Sequence, residues 1–284
     1  MDQQIKRIKF MDTWVLYLVC LISTLLINSL LTGIIGIFAR MISQILIITL
    51  TLLFVKRTGQ KMRSVFAMPS YTIKQAIGTA LVLGGVIMLC IPSVLLFHVI
   101  APDFAVTGYH IVDLAPSAAK YLWVVLLVLL TALAGTVLFD GYVFGGFKYI
   151  ENVGARSALI SLLYAMMFAD VYVFVPLFII EMGIFYVREQ TEGLKLPFVM
   201  QLFASASTYA ILQLGAKESS FIGTNEGASK IIGMAMIFIG VSALLLWWSS
   251  SLLGKKSALT PFGKLMTVVI FIIFLAIGSG LVSL

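Results

Sequence analysis

Apolar runs of helical-span length follow one another along almost the whole chain: 14–38, 41–55, 73–99, 119–147, 157–170, 172–187, 196–215, 231–253 and 265–283. A hydrocarbon layer roughly 30 Å thick takes about 20 helical residues to cross, and charged or Pro/Gly-bearing segments separate the runs. The pattern predicts an all-α fold, a polytopic transmembrane helical bundle of eight or nine spans forming a single membrane domain over 1–284. The uncertainty of one sits at the fifth and sixth runs. Both are short, and Val171 alone separates Asp170 from Tyr172, which suits a tight helical hairpin or a partly re-entrant pair.

Composition excludes the soluble alternative. With 61% hydrophobic residues, 11% charged residues and a mean hydropathy of +1.10, the chain departs far from a soluble domain, in which roughly half the residues are apolar and about a quarter charged. The N-terminal stretch has a basic start and an apolar core, as a signal peptide does. Its apolar run continues to Ala39 without a small-residue cleavage site, so an uncleaved first span is expected. Cys20 and Cys90, the two cysteines, fall within spans far apart in sequence and are expected to be packing residues, with no disulfide or metal framework.

Basic residues set the orientation, because cytoplasmic loops retain Lys and Arg. With the N-terminus inside, 15 of the 19 basic residues fall on the cytoplasmic side, and Arg40, Lys120, Lys217 and Lys230 fall outside. The net charge of +7 then follows from this bias, with the lipid bilayer as the surrounding partner and no nucleic acid required.

Polar groups inside the spans are the candidates for function, since an ionised side chain at mid-membrane costs about 2.5–3.5 kcal/mol on insertion scales. Asp140 is the most conspicuous. It lies eight residues before Lys148, about 12 Å from the cytoplasmic end at 1.5 Å per residue, with no Lys or Arg at its depth in the same span. Thr136, four residues earlier, shares its helical face, and Gly135 beside it permits close approach of another helix. Glu181 stands seven residues before Arg188, on roughly the same face and too far away for a direct intrahelical pair. His98 and His110 are the only histidines. Neither is spaced with acids or cysteines as metal ligands are, and no metal or cofactor is expected.

The segments ALAGTVLFDGYVFGGF, SALISLLYAMMFAD and IFYVREQTEGLKLPFVMQLFASAS resemble, in order and spacing, the three signature segments of the CAAX-protease and bacteriocin-processing (CPBP, Abi) family of intramembrane proteases. The family's first segment is Glu-Glu-x-x-x-Arg-Gly, its second Phe-x-x-x-His, and its third His-x-x-x-Asn shortly after a Thr-Gly and a Pro. The resemblance covers 125–215, which it implies to be a CPBP-like core. Carried across, the two glutamates fall on Gly135 and Thr136 and the arginine on Asp140, while Gly141 is kept. The second segment's Phe is Tyr164 and its His is Phe168. In the third segment Thr191, Gly193 and Pro197 are kept, His becomes Gln201 and Asn becomes Ser205.

What the resemblance implies is therefore a member without its catalytic groups. The family's glutamate is thought to activate water, and its histidines and asparagine to stabilise charge on the scissile carbonyl. Gly135 and Thr136 offer no proton acceptor, and Phe168 no donor. Thr136, Asp140, Tyr164, Gln201 and Ser205, with Glu181 as a further candidate, are expected to line a polar cavity where a catalytic centre once stood.

Inactive relatives in Gram-positive bacteria act as partners of cell-wall hydrolases and as factors in lysostaphin resistance or bacteriocin immunity. The resemblance accordingly implies a scaffold or regulator in the cell membrane, with another membrane protein or a cell-wall enzyme as partner through the spans or the loops 100–118 and 216–230. Two alternatives stay open. One is a transporter or permease subunit using Asp140 and Glu181, and the other an intramembrane protease with non-standard residues built on the same two acids.

Overall fold

The computed structural model describes residues 8–30, 36–100, 117–167, 171–217, 228–253 and 261–283. Among them every regular element is helical: α1 (Phe10–Leu30), α2 (Gly36–Arg57), α3 (Met62–Val65), α4 (Ile73–Ile100), α5 (Ser117–Gly135), a π-helical segment (Thr136–Val143), α6 (Phe144–Gly146), α7 (Val153–Met167), α8 (Val171–Thr191), α9 (Lys195–Lys217), α10 (Ala228–Leu253) and α11 (Pro261–Val282). Each apolar run read from the sequence overlaps a helix, except that the first, expected over 14–38, ends inside α2, which takes its residues 36–38, while 31–35 and 168–170 lie outside the described residues; α3 is an added short turn. The first two helices begin earlier than expected, at Phe10 and Gly36. Among the described residues five helical stretches are long and apolar enough to cross a membrane: Phe10–Leu30, Phe38–Arg57, Ile73–Ser93, Leu122–Gly146 and Ser229–Leu253. Val153–Met167 and Met266–Val282 are shorter apolar helices.

Local chemistry explains several boundaries. α2 stops at Lys56-Arg57-Thr58-Gly59, where Gly59 takes a φ of 69°, a backbone region open to glycine at little cost. The Gln60 N–H donates to the Val55 carbonyl (3.1 Å) and the Gly59 N–H to the Lys56 carbonyl (3.1 Å), the paired bonds of a Schellman stop. α4 starts with a reciprocal cap: the Gln75 N–H donates to Thr72 Oγ1 (3.3 Å) and the Thr72 N–H to Gln75 Oε1 (2.9 Å). Such a box satisfies two donors that a helix start leaves open. At α7 the Asn152 side-chain oxygen accepts from the Ala155 N–H (3.0 Å).

The chain folds as two compact units interleaved in sequence. One comprises residues 1–69, 110–167 and 192–210, the other 70–109, 168–191 and 211–284. The segment 125–215 contributes to both. In the first unit α1 packs on α2, and α2 on α5 and the π-helical segment, which also meets α7. The Tyr17 hydroxyl donates to the Leu163 carbonyl (3.0 Å), fastening α1 to α7. A second tie runs from the Leu194 N–H to the Ala67 carbonyl (3.0 Å).

In the second unit α10 packs against α4 and α11, and α4 also against α8. Water does not drive helices together inside lipid, so close van der Waals packing through small residues takes over. Gly78 and Gly85, seven apart on α4, receive Leu253 and Leu246, also seven apart on α10, so the two helices run antiparallel with leucines seated over glycines. Ser242 donates to the Gly85 carbonyl (2.7 Å) at the same crossing. α10 and α11 approach closest where Gly233 faces Gly278: a Cβ at Gly278 would lie 2.6 Å from the Gly233 carbonyl oxygen. Cys90, a buried free thiol like Cys20, donates to the Pro176 carbonyl of α8 (3.5 Å).

Gly278→Ala must therefore separate α10 from α11, because the obstructing atom is backbone. It should lower stability in detergent by about 1–3 kcal/mol, the cost of overpacking, despite the better helix propensity of Ala. Gly280→Ala, with nothing within 4 Å of the new methyl, should lose none. Thermal unfolding of the two variants side by side reads the difference.

Candidate functional site

The site forms in the first unit, around the π-helical segment that carries Asp140. Over Thr136–Val143 the helix closes its hydrogen bonds one residue later than an α-helix, as in the Phe144 N–H donating to the Phe139 carbonyl. Such widened turns are frequent at functional sites. No proline prompts this one. Small residues do accompany it, with Gly135 before it, Gly141 inside it and Gly145 and Gly146 after it.

Each glycine admits something specific. A Cβ at Gly135 would stand 2.8 Å from Gln201 Nε2, 3.2 Å from the Tyr164 ring and 3.4 Å from Gln201 Cδ. One at Gly141 would stand 2.7 Å from the Phe66 ring, and one at Gly146 would overlap the Thr13 hydroxyl and lie 2.9 Å from Thr13 Cβ. The segment is thus wedged between α9, α7, the residues after α3 and the start of α1. Asp140 is fully buried (0% exposed), and Thr136, Tyr164, Gln201 and Ser205 are buried with it.

α7 supplies the opposite wall. Tyr164 packs its ring edge-on against Phe139 (5.0 Å between centroids), and Phe139 in turn meets Tyr17 (6.3 Å). Further along the two antiparallel elements, Arg156 lies over the Phe144 ring (5.5 Å). Between those two positions α7 carries Ser161 and Ser157, both buried.

The sequence-derived candidates divide accordingly. Gly135, Thr136, Asp140, Tyr164, Gln201 and Ser205 all belong to the first unit, and direct packing joins Gly135, Tyr164 and Gln201. Asp140, Tyr164 and Gln201 are each engaged in an interaction. The Thr136 hydroxyl is not; among the described residues it has no hydrogen-bond partner, nor has that of Ser161. Glu181 belongs to the second unit, fully buried on α8 with Arg188, also buried, two turns on. Neither lacks a partner. Phe168, His110 and Asp170 lie outside the described residues, as does the side chain of His98.

Sequence reasoning missed Ser157, Ser161 and Phe139. The two serines were accessible to it, because Ser157, Ser161 and Tyr164 recur at helical spacing as a polar stripe on an apolar helix. Phe139 was not, since an aromatic residue in a span carries no mark of the face it turns inward.

Chemically, the site in the first unit offers a carboxyl, an amide and several hydroxyls. This set can exchange hydrogen bonds and hold a polar group. Among the described residues no three of His, Cys, Asp and Glu gather as metal ligands would. No family model matches the chain, and no curated protein or solved structure matches it.

The filled space at Gly135 is testable. Gly135→Glu has to displace the buried Gln201 amide and the Tyr164 edge, and should destabilise the protein by roughly 1–3 kcal/mol. Gln201→Ala in the same chain should recover part of that loss, a favourable coupling of about 0.5 kcal/mol or more in a double-mutant cycle. Additive effects would mean that the two side chains do not compete for one space.

Proposed function

We propose that this chain is a non-catalytic, multi-pass protein of the cell membrane, with a core like that of the CPBP proteases, and that it acts as a scaffold or regulator of another membrane or cell-wall protein. One observation carries the reading: the space beside Gly135, where the resembling family places a glutamate side chain, is occupied by the side chain of Gln201 and the edge of Tyr164. A hydrolytic centre needs an acid or base within reach of water and substrate. Here that volume holds an amide and a ring, and Asp140 is enclosed beside it with no exposed surface.

Carriage of bacteriocin immunity or maintenance of a Gram-positive envelope is the corresponding role, argued from the resemblance of the three segments. Eight or nine crossings and a cytoplasmic N-terminus complete the proposal, on the helix lengths and the distribution of basic residues. The second reading, a transporter subunit, draws on the burial of Glu181 and Arg188 within α8, since ionisable groups inside a membrane often mark solute pathways.

Three measurements test this reading. For topology, a membrane-impermeant thiol reagent applied from outside should leave a cysteine at Gln60 unlabelled and label one at Glu218; the reverse pattern overturns the orientation. For catalysis, the purified protein should cleave neither prenylated nor leader peptides, and Asp140→Asn should leave cellular function largely intact. Peptidase activity abolished by Asp140→Asn would make the chain an enzyme. For association, cross-linkers placed in the loops 100–118 and 216–230 should capture a stoichiometric partner in mild detergent. A solitary protein that moves a solute across liposomes would instead establish the transporter.

A further inference from the structure

One end of the first unit gathers basic groups together with exposed apolar ones. Several contacts bring its segments to that end. Phe10 at the start of α1 meets Phe147 (5.8 Å) and Tyr149 (5.0 Å) after α6. Phe66, after α3, abuts Gly141. Arg156, in the first turn of α7, lies over Phe144, and the start of α9 is bonded to Ala67.

The described residues at this end include Lys9, Lys56, Arg57, Lys61 and Arg63 from the first three helices and their flanks. Lys148, Arg156 and Lys195 join them, against three acids: Asp12, Glu151 and Glu192. Between the cations stand side chains that water does not favour. Phe10 is 40% exposed, Tyr149 57%, Met62 42% and Met68 60%. Long basic side chains can extend along apolar surface and keep their charge in the polar layer, and aromatic residues concentrate where hydrocarbon meets headgroups.

The most organised part is the ring cluster. Phe10, Trp14, Phe147 and Tyr149 pack mostly edge to face, with Phe10 6.0 Å from Trp14 and Trp14 5.7 Å from Phe147. Lys9 and Lys148 are the sequence neighbours of Phe10 and Phe147, both exposed, and the Lys148 ammonium sits 5.6 Å from the Phe144 centroid. Two exposed cations thus adjoin, in sequence, an aromatic cluster whose Phe10 and Tyr149 reach the surface while Phe147 is buried beneath them. From that cluster an uninterrupted stripe of exposed apolar side chains, Met11, Val15, Leu18, Ile22 and Leu25, runs along α1 at spacings of three and four. Charge at the head and an apolar track one helix face wide below it match the form of a phospholipid.

We propose that this end of the first unit binds anionic phospholipid, with Lys9 and Lys148 holding the headgroup phosphate beside the Phe10–Phe147–Tyr149 platform and an acyl chain lying along the α1 stripe. Asp12, half-buried in the first turn of α1, is the one acid of that helix, and the two lysines outnumber it. Glu151 is exposed on the far side of Tyr149 in sequence. The attraction of basic side chains to anionic lipid falls off within a Debye length, so direct contact and not distant charge sets the preference.

The test uses the full chain in nanodiscs of equimolar phosphatidylglycerol and phosphatidylcholine. Lipid retained after extraction in mild detergent is counted by mass spectrometry. The native protein should retain phosphatidylglycerol on the order of tenfold over phosphatidylcholine, and K9Q/K148Q should bring the two lipids close to equal retention, as expected when two basic groups leave an anionic lipid surface. R40Q, which removes a charge from the opposite end of α2, should leave it unchanged. Both lysines are exposed, so thermal unfolding of K9Q/K148Q should match the native protein in lipid-free detergent. Equal retention of the two lipids by the native protein overturns the proposal. So does enrichment that survives K9Q/K148Q, or that falls as far with R40Q. If K9Q/K148Q keeps its lipid and loses an acidic membrane protein that co-purifies with the native chain, the surface serves that protein instead.

Discussion

Hydrocarbon provides no hydrogen-bond partner for a backbone amide, and every other property of this chain adjusts to that constraint. Each crossing segment has to satisfy its N–H and C=O groups internally, which makes it a helix. Once the segments are helices, apolar side chains no longer distinguish a neighbouring helix from lipid, so shape decides the packing. That is the context in which Leu246 and Leu253 lie over Gly85 and Gly78, and Gly233 faces Gly278. The glycines are contacts, and the side chains they lack are the reason the helices meet there.

The same constraint gives the region around Asp140 its character. A carboxyl with no exposed surface can persist only among groups that engage it, and the site in the first unit is accordingly crowded with hydroxyls and an amide. The π-helical turn widens the helix at this point. Gly135 then lets the Gln201 side chain and the Tyr164 ring reach the helix backbone. The space beside Gly135 is filled by these neighbours, and the proposed non-catalytic reading rests on that filling.

At the other extreme of polarity, the basic end of the first unit shows how the edge of a membrane protein differs from its middle. Within the core, aromatic rings interlock and are buried, as Phe139, Tyr164 and Tyr17 do. Toward the end of α6 the chain of edge-to-face contacts passes through buried Phe147 to Phe10 and Tyr149, which are exposed and accompanied in sequence by lysines. The ring network is continuous from the neighbourhood of the site to this surface. Its role changes with depth, from filling space to meeting the headgroup layer.

Helix type, helix position and the membrane setting were legible from residues alone, because transfer of a run of side chains into hydrocarbon depends on that run and little else. The start and stop signals were equally local: Thr72 with Gln75, and Gly59 after Thr58. Asp140 and Glu181 could be singled out as costly residues for the same reason, Thr136 by sharing the Asp140 face, and Gln201 only through the family resemblance. Their grouping could not. That Gln201 and Tyr164 close on Gly135 while Glu181 belongs to the other unit depends on which helices pack together, a matter of steric fit between segments up to 66 residues apart in sequence. The widened turn at Thr136–Val143 likewise carries no local signal beyond its glycines, because a π-helical closure is retained only where neighbouring helices fill the space it opens.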